Sequence, residues 1–171
     1  EETIMVAHNA PFDKKMLERE GLVVKNWICS LKVSRYLDDK DEIDSHTLQN
    51  LRYLYKIETD AVAHDALGDI IVLEQIFYKM FDIAYNKAKE KSGKNLVPKP
   101  KILSRMKEIS MGLVPLRKLP FGQYKHLLLE EVYTKDKRYL QWLLTSRLAK
   151  EGENDEIVKT LRLLFDNNGK L

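Results

Sequence analysis

A short apolar run, Thr3-Ile4-Met5-Val6-Ala7, leads without a break into His8-Asn9-Ala10-Pro11-Phe12-Asp13. The run is too short for a helix and reads as a buried strand. The stretch from His8 to Asp13 reads as a helix start. Pro11 suits the first helical turn, where its missing N–H costs nothing, and Asn9 is a good N-cap. The helix continues through Met16 and Leu17 and can stop at Gly21. A strand that feeds a helix this abruptly fits a layered α/β arrangement. It also puts His8, Asn9 and Asp13 at the carboxyl end of a strand and the amino end of a helix, where open α/β sheets bind ligands. The helix dipole favours an ionised Asp13. The same residues also fit a simple first-turn acid and a cap with an exposed neighbour.

A second strand is expected at Trp27-Ile28-Cys29, followed by a short helix through Val33 and Leu37. A charged loop, Asp38 to Asp44, comes next. Ser45 can cap a further helix with Leu48, Leu51, Leu54 and Tyr55 on its apolar side. Short strands alternating with longer helices argue for α/β layers and against a bundle. Lys56-Ile57-Glu58 then leads to Thr59-Asp60-Ala61-Val62-Ala63-His64-Asp65-Ala66-Leu67-Gly68-Asp69 and the long helix it opens. In that helix Leu67, Ile70, Ile71, Phe77, Phe81 and Ala84 recur at helical spacing and should face a core. Gly68, lacking Cβ, would let the first turn approach another backbone. A first-turn carboxylate and an imidazole just before it can share one pocket. There Asp69 can hold a divalent metal and His64 can take a proton from water. Both residue types also occupy such positions as ordinary surface or core groups.

Residues 1–90 are read as one domain, 91–101 as a linker and 102–171 as a small basic accessory domain. Ser92-Gly93 breaks the long helix, and Pro98-Lys99-Pro100 cannot continue one. Leu113-Val114-Pro115-Leu116 can form a short strand. Pro120-Phe121-Gly122-Gln123-Tyr124-Lys125 reads as a tight hairpin. Leu127 to Tyr133 reads as one helix. A second, capped by Asp136, carries Tyr139, Leu140, Leu143, Leu144 and Leu148. A last helix starts at Asn154-Asp155 and ends at Asn168-Gly169.

Lys91 to Lys150 holds fourteen Lys or Arg against four Asp or Glu, a net of +10 inside a chain whose total is +3. Such an asymmetry suits a polyanionic partner, or solvated helix faces. No apolar run reaches membrane-spanning length, so no membrane partner is expected. No stretch reads as a secretory leader. Cys29 is the single cysteine, which excludes an intrachain disulfide and suits a reducing, cytoplasmic location. The chain begins at Glu1 without Met, as a processed chain or a piece of a longer one would.

The stretch Val6-Ala7-His8-Asn9-Ala10-Pro11-Phe12-Asp13 resembles the second exonuclease motif of the DEDDh family, which includes the proofreading epsilon subunit of bacterial DNA polymerase III. His64-Asp65-Ala66-Leu67-Gly68-Asp69 resembles its third motif, His-x4-Asp. Between them, Ser45-His46-Thr47-Leu48-Gln49-Asn50-Leu51 is similar to its His-x-Leu-x-x-Leu helix. The resemblance implies a ribonuclease-H-like fold and removal of nucleotides from 3′ ends by two-metal hydrolysis. Two Mg²⁺ or Mn²⁺ ions would stabilise the attacking and leaving oxygens, and carboxylates suit these hard ions. On this likeness Asp69 binds the nucleophile-side metal, Asp13 serves the second metal through water, and His64 is the general base. His8, Asn9 and Phe12 border the terminal nucleotide, Phe12 by packing and not by touching a base. Lys99, Lys101 and Arg105 are candidate phosphate contacts. The implied partner is the single-stranded 3′ end of DNA, or RNA, with a DNA polymerase subunit as a further one.

The sequence departs from that family in one respect. Nowhere is an Asp followed two residues later by Glu, the pair that forms the family's first motif. The opening strands are therefore expected upstream of Glu1, the ribonuclease-H-like fold incomplete here, and the chain by itself inactive on DNA. A non-catalytic nucleic-acid- or polymerase-binding module on the same fold is the alternative. Leu119 to Lys125 together with Tyr139-Leu140-Gln141-Trp142-Leu143 resembles a small domain of unclear role that comes after such exonuclease domains. Its hairpin usually reads Phe-Gly-Lys-Tyr-Lys-Gly. Gln123 and His126 stand here at the first Lys and the last Gly.

Overall fold

A computed structural model of the chain describes residues 3–59, 66–93 and 96–171. Contacts divide it into two units, Glu1–Lys40 with His46–Gly112 and Asp41–Ser45 with Leu113–Leu171.

In the first unit, strand β1 (Met5–Ala7) pairs in parallel with β2 (Trp27–Cys29), Met5 opposite Trp27 and Ala7 opposite Cys29. Parallel partners need a crossover, which helix α1 (Ala10–Arg19) supplies. α1 stops as expected near Gly21, which takes φ 76°. The Leu22 N–H returns to the Leu17 carbonyl at 2.9 Å. β2 is buried at every position, but β1 is buried only at Ala7 and Met5 is exposed. The opening run is thus a strand without being the buried strand its composition suggested.

Helix α2 (Ser30–Leu37) comes directly after β2, and α3 (Leu48–Leu54) after the charged loop. Thr47, not Ser45, caps α3, its Oγ1 accepting the Asn50 N–H. Helix α4 (Ala66–Ser92) buries Gly68, Val72, Ile76 and Met80. That four-residue stripe is not the one expected: Leu67, Ile70 and Ile71 are exposed. The cylinder is apolar on more than one side, and packing against α2, α3 and α5 selects which side is covered. Near the other end of α4, Lys87 donates to the Leu37 carbonyl at 2.8 Å and pairs with Asp39 at 2.9 Å. It thereby satisfies a carbonyl at the carboxyl end of α2.

Helix α5 (Lys99–Met111) corrects the expected linker. Pro98 and Pro100 start this helix, because the first turn needs no N–H from them. α5 packs on β2, α2 and α4, so residues 102–112 belong with the first unit and not with the accessory one. The Cys29 N–H donates to Ser110 Oγ at 2.8 Å, and Lys107 donates to Asn26 Oδ1 at 2.6 Å. These bonds fix α5 along the edge of β2. Among the described residues the sheet has two strands.

The second unit is built on α6 (Leu129–Lys135), α7 (Lys137–Glu151) and α8 (Glu156–Asp166). Leu116, Leu119, Leu129, Val132, Leu140, Leu143, Leu161 and Leu164 form its core. Asp136 caps α7 through the Tyr139 N–H, and Asp155 caps α8 through Ile157 and Val158. Leu113–Leu116 is no strand. It is irregular, with Leu116 buried and its N–H given to Thr160 Oγ1. The hairpin forms as isolated bridges: the His126 N–H reaches Leu119 O at 2.8 Å, and the Leu129 N–H reaches Arg117 O at 2.8 Å. Gly122 sits at φ 79°, and a Cβ there would run into the Tyr139 hydroxyl. The positive φ favours glycine there, and a side chain would have to displace the Tyr139 hydroxyl. His126, where the resembled hairpin has glycine, holds φ 68°. Among the described residues no helix is long and apolar enough to cross a membrane.

Candidate functional site

β1 ends at Ala7, and the chain must turn within two residues to start α1. Asn9 makes the turn with φ 72° and ψ 48°, a left-handed conformation that asparagine tolerates better than most residues. Its side chain makes no cap hydrogen bond, so Asn9 serves the helix start through its backbone and not as the side-chain cap expected. The Phe12 N–H closes the turn on the Asn9 carbonyl at 2.9 Å. Asp13 lies half-buried in the first turn of α1. Phe12 is 64% exposed, so it does not take the packing role expected of it. Its ring is presented to solvent beside the strand–helix junction.

His8 points the other way, toward α2. Its Nδ1 lies 2.9 Å from Ser30 Oγ, and that hydroxyl is 3.3 Å from the Ala7 carbonyl. Burial pushes the His8 imidazole below the ordinary histidine value. A hydrogen bond with the His46 backbone opposes the shift, and the Arg35 charge adds to it. The ring is therefore neutral at physiological pH. One helical turn along α2, Ser34 Oγ lies 3.2 Å from His46 Nδ1, and the His46 Nε2 lies 3.6 Å from Asp38 Oδ2. Ser30 and Ser34 are both buried. Ser30, Ser34 and Asp38 stand four residues apart on one side of α2. They form a polar seam that ties the β1–α1 junction to the start of α3. Burial, and then the Asp38 charge, push the nearby Tyr55 phenol up.

The start of α3 reaches the third stretch as well. Gln49 Nε2 donates to Asp69 Oδ1 at 3.2 Å, in the first turn of α4. Two of the three stretches singled out in the sequence, residues 8–13 and 45–51, are thus joined through His8 and His46. The second and third are joined through Gln49 and Asp69. His64 lies outside the described residues. Asp13 and Asp69 both belong to the first unit. Among the described residues no group of three or more His, Cys, Asp and Glu side chains is arranged to hold a metal ion.

Lys99, Lys101 and Arg105 are exposed on α5. Arg105 is engaged, with Glu108 Oε2 at 2.9 Å and the Tyr36 hydroxyl at 3.3 Å, its guanidinium 5.4 Å from the Tyr36 ring centre. Lys99 and Lys101 occupy the first turn of the same helix.

Ser30, Ser34, Asp38 and Gln49 escaped sequence reasoning. The signal was present in two places: hydroxyls four residues apart on a short helix beginning at a strand end, and a glutamine three residues after His46.

Residues 119–145 match a family model described as exodeoxyribonuclease X-like C-terminal. The match covers the hairpin, α6 and most of α7. It supports an exonuclease-related family for this segment. No curated protein and no solved structure matches the chain.

Proposed function

We propose that this chain is part of a 3′→5′ exonuclease that removes nucleotides from DNA ends, with Asp13 and Asp69 as metal ligands and His64 as general base. The observation that carries the reading is the exodeoxyribonuclease X-like match at residues 119–145, which lies downstream of the two motif-like stretches. The hydrogen bonds that link residues 8, 46, 49 and 69 support it, because they make one constellation of separated stretches.

Carboxylate oxygens suit Mg²⁺ or Mn²⁺. Bound, such ions supply charge stabilisation at the attacking and leaving oxygens of the phosphodiester. Gln49, by donating to one oxygen of Asp69, holds that carboxylate in one orientation with its remaining lone pairs available. Neutral His8 is held by Ser30 and the His46 backbone, so it keeps the strand–helix junction rigid behind Asn9 and Asp13. Two carboxylates are too few for a strong two-ion site, so an Asp-x-Glu pair would come from sequence outside residues 1–171.

The test is release of nucleotides from 3′-labelled single-stranded DNA in Mg²⁺. The protein extended by its upstream sequence should be active and lose at least about a hundredfold on Asp69→Asn, in line with loss of a metal ligand or its support. The 171-residue chain should be inactive. An extended protein that carries an Asp-x-Glu strand yet shows no metal-dependent hydrolysis would reject the proposal.

A further inference from the structure

The second unit exposes a tryptophan that its core does not use. Trp142 is 61% exposed on the long helix α7. Its ring lies 5.7 Å from Tyr139, tilted by 40°, and Tyr139 meets Tyr124 of the hairpin edge-on at 5.0 Å. The three rings form a continuous aromatic row that runs from the hairpin onto the helix. The row is held from behind. Tyr124 donates to Asp136 Oδ2 at 2.9 Å, and Asp136 also caps α7 through the Tyr139 N–H. Gly122, where any side chain would strike the Tyr139 hydroxyl, keeps the hairpin against Tyr139. Trp142 therefore stands on a rigid base.

Cations flank the row. Lys125 at the hairpin and Arg138 one helical turn before Trp142 are exposed, and Lys135 lies 5.8 Å above the Tyr124 ring. The carboxylate in the row, Asp136, is turned inward onto Tyr124 and Tyr139. Fixed aromatic faces with a basic border are what single-stranded nucleic acid recognises. Bases stack on the rings and phosphates track the cations. An apolar peptide would use the rings and leave the cations without purpose.

We infer that Tyr139 and Trp142, bordered by Lys125, Lys135 and Arg138, form a stacking platform for an unpaired base of single-stranded nucleic acid. The inference rests on the exonuclease reading of the chain and adds to it a second nucleic-acid contact, carried by the second unit.

The chain has two tryptophans, and the other one, Trp27, is 9% exposed with its Nε1 bonded to Val24 O at 2.9 Å. Fluorescence changes on ligand binding therefore report Trp142. The experiment titrates the 171-residue chain with a twenty-nucleotide oligo-dT at low salt. Saturable quenching is expected. Trp142→Ala should abolish the quenching and weaken binding about five- to a hundredfold, as loss of a base-stacking ring does. Trp142→Phe should retain most of the affinity. Replacing Lys125 and Arg138 by Gln should lower the salt dependence of binding by roughly 0.7 in slope for each lost phosphate contact. An unchanged melting temperature shows that each variant is folded. Binding without quenching, unaffected by Trp142→Ala, would overturn the platform and leave the exonuclease reading standing. No binding of oligo-dT would also overturn the platform, and the hydrolysis assay on the extended protein would then decide the exonuclease reading separately.

Discussion

His8 holds a neutral imidazole where a charged one would be poorly solvated. Its partners are the Ser30 hydroxyl and the His46 backbone, with the Arg35 cation near enough to disfavour a second positive charge. Because the folded pKa lies below the unfolded value of about 6.5, the unfolded chain binds the extra proton more readily. Stability from this residue is complete above the unfolded value and is lost as pH falls below it toward the folded one. Urea unfolding should therefore show a lower stability at pH 5.5 than at pH 7.5. His8→Gln, which keeps a polar group near Ser30, should flatten that dependence. A His8→Gln protein with the same pH dependence as the parent would show that the other histidines carry it. At this scale the sequence was partly legible. His8, Asn9 and Asp13 stand at a strand–helix junction as read. Phe12 faces solvent, and Asn9 contributes its left-handed backbone and no cap. The serine partners carried only a weak signal, because hydroxyls four residues apart on a helix fit an exposed face as well as a buried one.

At the scale of elements, α4 shows why periodicity finds a helix more easily than its buried face. Leu67, Ile70 and Ile71 recur at helical spacing, and so do Gly68, Val72, Ile76 and Met80. Only the neighbours α2, α3 and α5 decide between them. Ile76 is fully buried and Ile70 is 62% exposed. Ile76→Ala should cost about 2–5 kcal/mol and leave a cavity, whereas Ile70→Ala should stay within about 0.5 kcal/mol. Equal effects in denaturant titrations would return the buried face to the side first expected. Prolines caused the second misreading. Pro98 and Pro100 stop one helix in the sequence but open α5 in the structure, since a first turn accepts what a helix interior rejects. The caps at Asp136 and Asp155 were legible because a side-chain oxygen before an apolar run has few other uses.

At the scale of the molecule, the division falls after Gly112, later than the 91–101 break in composition. Charge and proline content change at the start of α5, but packing of α5 on β2 keeps it in the first unit. The second unit holds its whole core between Leu116 and Leu164. It also includes Asp41–Ser45, whose Asp44 pairs with Lys118 at 2.7 Å and whose Asp41 lies 3.8 Å from Arg117. In each pair one partner is mostly covered, Lys118 at 19% and Asp41 at 21%, and the other faces solvent; partly exposed pairs are worth about 1 kcal/mol each. Residues 113–171 alone should therefore give a helical, cooperatively unfolding peptide, less stable than the unit in the full chain by more than the ion pairs alone, since the His126 ring also lies 3.1 Å from the Asp44 carbonyl. A peptide without cooperative unfolding would show that the five-residue loop contributes far more than these contacts. The same loop bears on how such proteins diversify. Exchange of the rear unit between genes at a single crossover would leave part of it behind in the donor, so the halves should be inherited together more often than their separate cores would require.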